Sequence, residues 1–366
     1  MSARGDIVLG RRALNRALLA RQLLARRSAM PVAQALEHLV GLQAQAPMPP
    51  YQGLWSRLEA FDPHELGRML TEREAVRLTL MRGTVHLVTA RDAVRLRPLL
   101  QPAVEQVLGR WLAQARVEAA AVAPAVRALL GAAPLTAREL GRRLVEQGLG
   151  EDAEAVGHAA RIHAALVQVP PRGVWGRGGQ ARYAPLESWV GDGAAAASST
   201  LDELFVRYLG AFGPASVRDA QNWSGLTRLS TVAERLRPRL VAFRDEDGTE
   251  LFDLPDAPRP GEDAPAPAVR LLGQFDNVLL GHADRRRIVP EGLPWEPMGV
   301  RARFTNSLLL DGMLGGGWWV QDGTLTVRLF RAAPKRVRDA IAEEAEGMLA
   351  FMRPGAAARA VRFEPA

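Results

Sequence analysis

Cysteine is absent from the 366-residue chain, and lysine nearly so. The first absence removes disulfides, thiolate zinc sites and cysteine nucleophiles, and fits a reducing cytoplasm. The second leaves Lys335 as the one lysine among 47 basic side chains, so Schiff-base chemistry has only that amine or the N-terminal one. No run of about eighteen apolar residues occurs; the stretch AAAVAPAV is short and broken by Pro124, and no membrane crossing is expected. HExxH, P-loop, GxSxG and dinucleotide-binding patterns are missing too. The six histidines (His38, His64, His86, His158, His163 and His282) lack metal-ligand spacing. Metal-dependent and serine hydrolysis drop out, and neither metal nor cofactor is expected.

What is present is arginine. The net charge is +7, yet residues 245–263 hold eight acids against one base, so the rest of the chain is near +14. Arginine suits bidentate contacts to phosphates and base edges, although a solvated surface would have the same composition. The Arg-rich start, residues 4–27, reads as an amphipathic helix with Leu14, Leu18, Leu19, Leu23 and Leu24 on one side rather than as a transit peptide.

Three stretches repeat one order of events, helices with N-cap signals and then strand, turn and strand, which is the plan of a winged helix. In the first, MPVAQALEHLVGLQ, YQGLWSRL and DPHELGRML read as helices, the last capped by Asp62 with Pro63 behind it. AVRLTLMRGTVHLVT follows as two strands joined at Arg82 and Gly83. In the second, LTARELGRRLVEQGL opens on a Thr136/Glu139 capping box and ends at Gly148. A helix over about 152–166 leads to VQVPPRGVWGRGGQARYAP, whose Gly-rich tip resembles a wing. In the third, GPASVRDAQNWSGLTRLSTVAERL sets Ser216 and Asp219 at capping spacing before a Ser224-Gly225 turn, and LVAFRDEDGTELFDL closes as a hairpin at Asp247-Gly248. Beyond the acidic linker PDAPRPGEDAPAPA the period becomes that of strands: VRLLGQFDNVLLGH, TNSLLLDGML, GWWVQDG and TLTVRLFR, with a turn at Asp322-Gly323. A helix over about 335–352 ends the chain. The expected class is α+β, about three winged helices plus a small β-rich domain, with spans 1–115, 116–195, 196–256 and 257–366.

One segment, GLQAQAPMPPYQGLW, carries two glutamines around an alanine. In a helix Gln43 and Gln45 point about 200° apart, whereas in an extended segment they share a face, and Pro47, Pro49 and Pro50 favour extension. Converging amides position a water or an oxyanion without titrating. Spacing alone equally allows a helix end whose glutamines cap free carbonyls.

The ordered set LVGLQAQAPMPPYQGLWSRL, RGTVHLVTARDA, NWSGL and LLGHADRRRIV resembles the winged-helix, AlkZ-like family of bacterial DNA glycosylases, over roughly residues 10–350. The resemblance implies a C-shaped chain of tandem winged helices cupping duplex DNA, and excision of N7- or N3-alkylated purines or unhooking of interstrand crosslinks. It carries the catalytic role onto Gln43 and Gln45; a related branch has aspartate at the second position, so Gln45 points to the branch acting on bulky adducts and crosslinks. An N7-alkylguanine is already cationic, so its departure requires mainly a placed water and complementary charge, which two neutral amides supply. Scarce lysine adds the expectation of a monofunctional enzyme without lyase activity.

For DNA contacts the expected residues are Arg285, Arg286 and Arg287 beside His282, Arg228 after the WSGL turn, and Arg177 and Arg182 flanking the second wing. A bulky or tethered base argues against a snug base-flipping pocket. The expected partner is double-stranded DNA, bound by a monomer. The competing class is a winged-helix regulator without activity, which would dimerise on paired half-sites and make no use of Gln43 and Gln45.

Overall fold

The computed structural model describes residues 7–191, 199–293, 306–355 and 360–364. Residues 4–6 of the Arg-rich start, and Thr305 at the head of one expected strand, lie outside the described residues.

The chain opens with β1 (Val8–Leu9) and α1 (Arg11–Arg21), which buries Leu14, Leu18 and Leu19 as their spacing predicts. The next helix, α2 (Val32–His38), stops short of the glutamines. Val40 (φ +54°) and Gly41 (φ +85°) turn the backbone left-handed. A Cβ on Gly41 would lie 2.5 Å from Val88 Cγ1 and 2.9 Å from the Leu87 carbonyl, so only glycine permits this approach. The chain then straightens into β2 (Leu42–Gln43). The prolines do not prolong that extension: Pro49 and Pro50 start α3 (Pro49–Arg57), where their missing N–H groups cost nothing. After α4 (Pro63–Thr71), capped by Asp62 accepting from the His64 N–H at 2.9 Å, β3 (Ala75–Thr79) and β4 (Val85–Thr89) form a hairpin around the short turn Met81–Gly83.

The second region comprises α5 (Ala90–Leu99), α6 (Gln101–Ala115), α7 (Ala119–Ala132), β5 (Leu135–Thr136), α8 (Ala137–Glu146), α9 (Ala153–His163), β6 (Leu166–Val169), β7 (Arg182–Pro185) and α10 (Leu186–Val190). The Thr136/Glu139 capping box forms. The hairpins of the first two regions are not separate: β6 pairs with β3 (Arg77 opposite Gln168, Leu78 opposite Val167), giving one six-stranded sheet ordered β2-β4-β3-β6-β7-β5. Every residue of β3 is buried, as suits an inner strand. The shared ladder crosses the boundary expected at residue 115.

Third come α11 (Leu201–Phe212), α12 (Val217–Ser224), α13 (Ser230–Leu236), β8 (Val241–Asp245) and β9 (Glu250–Asp253), with the Ser216/Asp219 capping box in place. β1 joins this hairpin parallel to β8, a long-range pairing with no local signature. The linker after β9 carries no helix or strand, yet α1 staples it: Arg12, Arg16 and Arg21 donate to the carbonyls of Glu262, Ala264 and Pro258 at 3.0, 2.8 and 3.2 Å.

The last region departs from the all-strand reading of VRLLGQFDNVLLGH: only β10 (Val269–Leu272) is a strand, and Asp276 caps a short helix, α14 (Asn277–Leu280), through the Val278 N–H at 3.0 Å. β11 (Asn306–Leu310), β12 (Met313–Gln321), β13 (Thr324–Leu329) and β14 (Ala360–Glu364) complete a five-stranded sheet, with α15 (Lys335–Met352) contributing Ile341, Ala345, Met348 and Leu349 to its core.

Much of the arginine lies inside. Arg21 makes a bidentate pair with Asp253 at 2.6 and 2.7 Å, both side chains fully buried, and Arg57 pairs likewise with Asp276 at 2.8 and 2.7 Å. Arg207 holds Asp92 at 2.7 and 2.6 Å. Each joins segments more than a hundred residues apart, which the planar, forked guanidinium does well. The number of arginines thus overstates the basic surface, although each neutral pair leaves the net charge unchanged.

Candidate active site

Gln43 lies on the edge strand β2 opposite His86 of β4, and the Ala44 N–H continues the ladder to the Val85 carbonyl at 2.7 Å. Both glutamine side chains are tied to the same hairpin. Arg82 Nη2 donates to Gln43 Oε1 at 2.8 Å, and the Val85 N–H donates to Gln45 Oε1 at 2.8 Å. Since each partner is a donor, the two amide orientations follow from the bonding, with carbonyl toward the hairpin and nitrogen away. Neither amide nitrogen has a hydrogen-bond partner among the described residues. Gln43 is 4% exposed whereas Gln45 is open to solvent. Between them, the Ala44 carbonyl accepts from Arg77 Nη2 at 2.7 Å. The QAQ segment is therefore strapped at three consecutive residues, so its geometry is set before any ligand arrives.

The electrostatics are those of neutral amides above cations. Burial, and then the positive charge of Arg285, lowers the Arg82 guanidinium to about 10, which leaves it charged at neutral pH. Burial, followed by the charge of Arg172, does the same to Arg77. His86, buried under Gln43 with Nδ1 3.0 Å from the Thr84 carbonyl, is pushed down to about 3 by burial and by Arg82, so its ring is neutral and is no proton donor near pH 7. His282 is likewise lowered to about 3, chiefly by burial. Both rings stay neutral in the folded chain but take up protons when unfolded below about pH 6.5. Stability should accordingly fall as pH drops from about 6.5, with a limiting slope of about 1.4 kcal/mol per pH unit for each ring. Urea unfolding at pH 7.5, 6.5 and 5.5 checks the direction, and a flat profile would refute it.

The arginines expected at DNA fall into different environments. Arg285 is half-buried and close enough to Arg82 for its charge to be felt there. Arg228 (φ +61°) and Arg177 are exposed, the first just beyond the WSGL turn and the second on the Gly-rich loop between β6 and β7. Arg182 is exposed but donates to the Pro134 carbonyl at 2.8 Å and faces Glu139 at 3.4 Å. Arg286 is paired with Asp284 at 2.6 Å and with Asp247. Arg287 is 6% exposed and donates to the Pro214 carbonyl at 2.7 Å, so it presents nothing to a phosphate. HADRRR is thus mostly an internal brace: Asp219 accepts from the Ala283 N–H at 2.8 Å, and His282 Nε2 meets the Phe212 carbonyl at 3.0 Å. The acidic trio Asp245, Asp247 and Asp284 is engaged by Arg286 through the last two.

Sequence reasoning missed Arg77 and Arg82. Arg77 is one arginine inside a strand and has no signal in one dimension. Arg82 stood in view at the hairpin tip, and its left-handed backbone (φ +55°), uncommon for a side chain of its size, marks it afterwards.

Comparison with known proteins bears on the family and the fold. The family model described as DNA glycosylase AlkZ-like matches residues 36–351. A relative from Streptomyces sahachiroi, named an interstrand DNA cross-link repair glycosylase, is 25% identical over 352 residues, covering 89% of this chain and 92% of its own. The solved structure of the Streptomyces sahachiroi DNA glycosylase AlkZ superposes with a TM-score of 0.73 at 21% identity, over 98% of this chain and all of that one, which shows a shared fold. With the family model spanning most of the sequence, the chain belongs to the AlkZ-like family of DNA glycosylases.

Proposed function

We propose that the protein is a monofunctional DNA glycosylase that hydrolyses the N-glycosidic bond of N7- or N3-alkylated purines, including bulky adducts and interstrand crosslinks. The observation that carries the reading is the pair Gln43 and Gln45, both drawn to the turn between β3 and β4 with free amide nitrogens. Water adds through its oxygen to C1′ of the deoxyribose, the C1′–N9 bond breaks toward the base (or its N7-alkyl cation), and the water's second proton passes to solvent. The products are a free alkylated base and an abasic site. Each glutamine oxygen keeps a second lone pair for a water proton, and each nitrogen keeps two N–H donors for the nucleophile's surroundings or a phosphate oxygen. Exposed Gln45 lies nearer the water, and buried Gln43 supports it. No titrating side chain is required, because the cationic purine is its own leaving group.

The three helix-and-hairpin units act in this reading as winged helices arranged in a C around duplex DNA, bound by a monomer in the cytoplasm. No helix among the described residues is long and apolar enough to cross a membrane. In this reading Arg228 and Arg177, both exposed, contact phosphates together with the half-buried Arg285. The relative is named for interstrand cross-link repair, which supports crosslinks as substrates here; base excision repair, or self-protection from a DNA-alkylating antibiotic, is the setting this reading proposes. Lysine supports the absence of lyase activity: Lys335 sits on the exposed side of α15, 2.8 Å from Asp339.

Two readouts test this. A nitrogen-mustard-crosslinked duplex incubated with the protein should resolve into single strands on a denaturing gel after alkali; crosslinks left intact by a protein that does release N7-methylguanine remove them from the substrate list. Borohydride added during turnover should trap no protein–DNA adduct, as neither glutamine forms an imine. A trapped species lost in Lys335→Ala would overturn the monofunctional assignment.

A further inference from the structure

We propose that Arg82 is the positioning residue of the glutamine pair, the group that fixes which end of the Gln43 amide faces the substrate. Its guanidinium has only donors, so the 2.8 Å contact with Oε1 forces the Gln43 carbonyl inward and leaves its NH2 free. The same side chain donates through Nη1 to the Trp223 carbonyl at 2.6 Å, which ties the first hairpin to the end of α12. Its backbone is held on two sides. A Cβ on Gly225, left-handed at φ +80°, would stand 3.3 Å from Arg82 N and Cα and 3.2 Å from Ala103 Cβ of α6, so the Ser224-Gly225 turn packs tightly on Arg82 at a position whose backbone favours glycine. A left-handed arginine, clamped between α6 and α12 and bonded to both a glutamine and a carbonyl, is far more constrained than a surface turn requires.

Without Arg82 nothing distinguishes the two ends of the Gln43 amide, and it is free to turn its oxygen outward. With Arg82 the amide is polarised, and its N–H groups become stronger donors. The clamp also gives the NWSGL segment a place in catalysis: it anchors the anchor, through the Trp223 carbonyl and the Gly225 approach. This inference rests on Gln43 and Gln45 being the catalytic pair.

The test is a double-mutant cycle read in single turnover on a duplex carrying N7-methylguanine, with wild type, Arg82→Met, Gln43→Ala and the double variant. Arg82→Met should lower the rate at saturating enzyme about 10²-fold, the loss typical of a misplaced catalytic group, with little change in duplex affinity. Combined with Gln43→Ala it should cost nothing more, because the two act as one unit. Arg82→Lys, which keeps the charge but puts its donors on one nitrogen in place of the forked Nη1 and Nη2, should fall between, and carries the same cycle if the methionine variant does not fold. An Arg82→Met rate equal to wild type, or an undiminished loss on top of Gln43→Ala, overturns the proposal. So does the phosphate-contact alternative: weaker binding with the salt slope reduced by about one and the saturated rate intact. If wild type releases no base, the functional reading itself fails; if wild type is active and only the Arg82 cycle disagrees, the failure belongs to Arg82.

Discussion

Gln45→Ala should slow release of N7-methylguanine from duplex DNA by about 10²- to 10³-fold at saturating enzyme, the loss seen when one preorganised polar group is removed from a reacting centre. The reason is local. Gln45 is the exposed member of the pair, and its oxygen is held in place by the Val85 N–H at 2.8 Å while its nitrogen stays free. Truncation removes the amide that meets the water and leaves a strand N–H without its acceptor. Affinity for the duplex should barely change, since a neutral amide contributes little beside phosphate contacts. Gln45→Glu should lose less than Gln45→Ala, as a carboxylate still accepts from Val85 and from water. Gln43→Ala acts on the buried half of the pair and should cost a similar factor, in that it releases Arg82 Nη2 as well. A Gln45→Ala enzyme working at the wild-type rate would remove this residue from the chemistry.

The largest stability effect is expected at Asp253. Its two oxygens take Arg21 Nη1 and Nη2 at 2.6 and 2.7 Å, and also Arg259 Nη1 and the Leu254 N–H at 2.7 and 2.8 Å. Asp253→Ala leaves the Arg21 guanidinium buried without its counter-ion, and such changes cost about 3–5 kcal/mol. Denaturant midpoints should fall accordingly, and because Arg21 joins α1 to the start of the linker, the N-terminal segment should gain hydrogen-exchange rate first. Replacing both partners, Arg21→Met with Asp253→Leu, should recover much of the loss, for the cost lies in an unpaired buried charge rather than in the missing pair. A single-variant loss below about 1 kcal/mol would mean that Arg21 reaches water, against its full burial.

What the sequence made legible was short-ranged. The Asp62 cap, the Thr136 and Ser216 capping boxes and the turns at Arg82-Gly83, Asp247-Gly248 and Asp322-Gly323 all form, since each is decided within about four residues. What escaped was long-ranged: β1 beside β8, β14 beside β13, and the β3–β6 pairing that fuses two expected wings into one sheet. The same limit governed the site. GLQAQA shows two amides, but the left-handed Val40 and Gly41 that end α2, and the Arg77, Arg82 and Val85 contacts that fix the segment, come from chain 33 to 40 residues away or from backbone geometry. Arginine was legible as charge but not as depth. Arg287 and Arg228 look alike in sequence, yet one is buried against Pro214 and the other is exposed.

The most direct measurement is release of free N7-methylguanine from an alkylated duplex, followed together with alkali-labile sites, for wild type and for the Gln43→Ala/Gln45→Ala double variant. Wild type should liberate the base and leave an equal number of abasic sites, while the double variant, folded and still bound to DNA, should stay near spontaneous depurination. No release by wild type from any alkylated duplex, or a double variant as fast as wild type, would contradict the account.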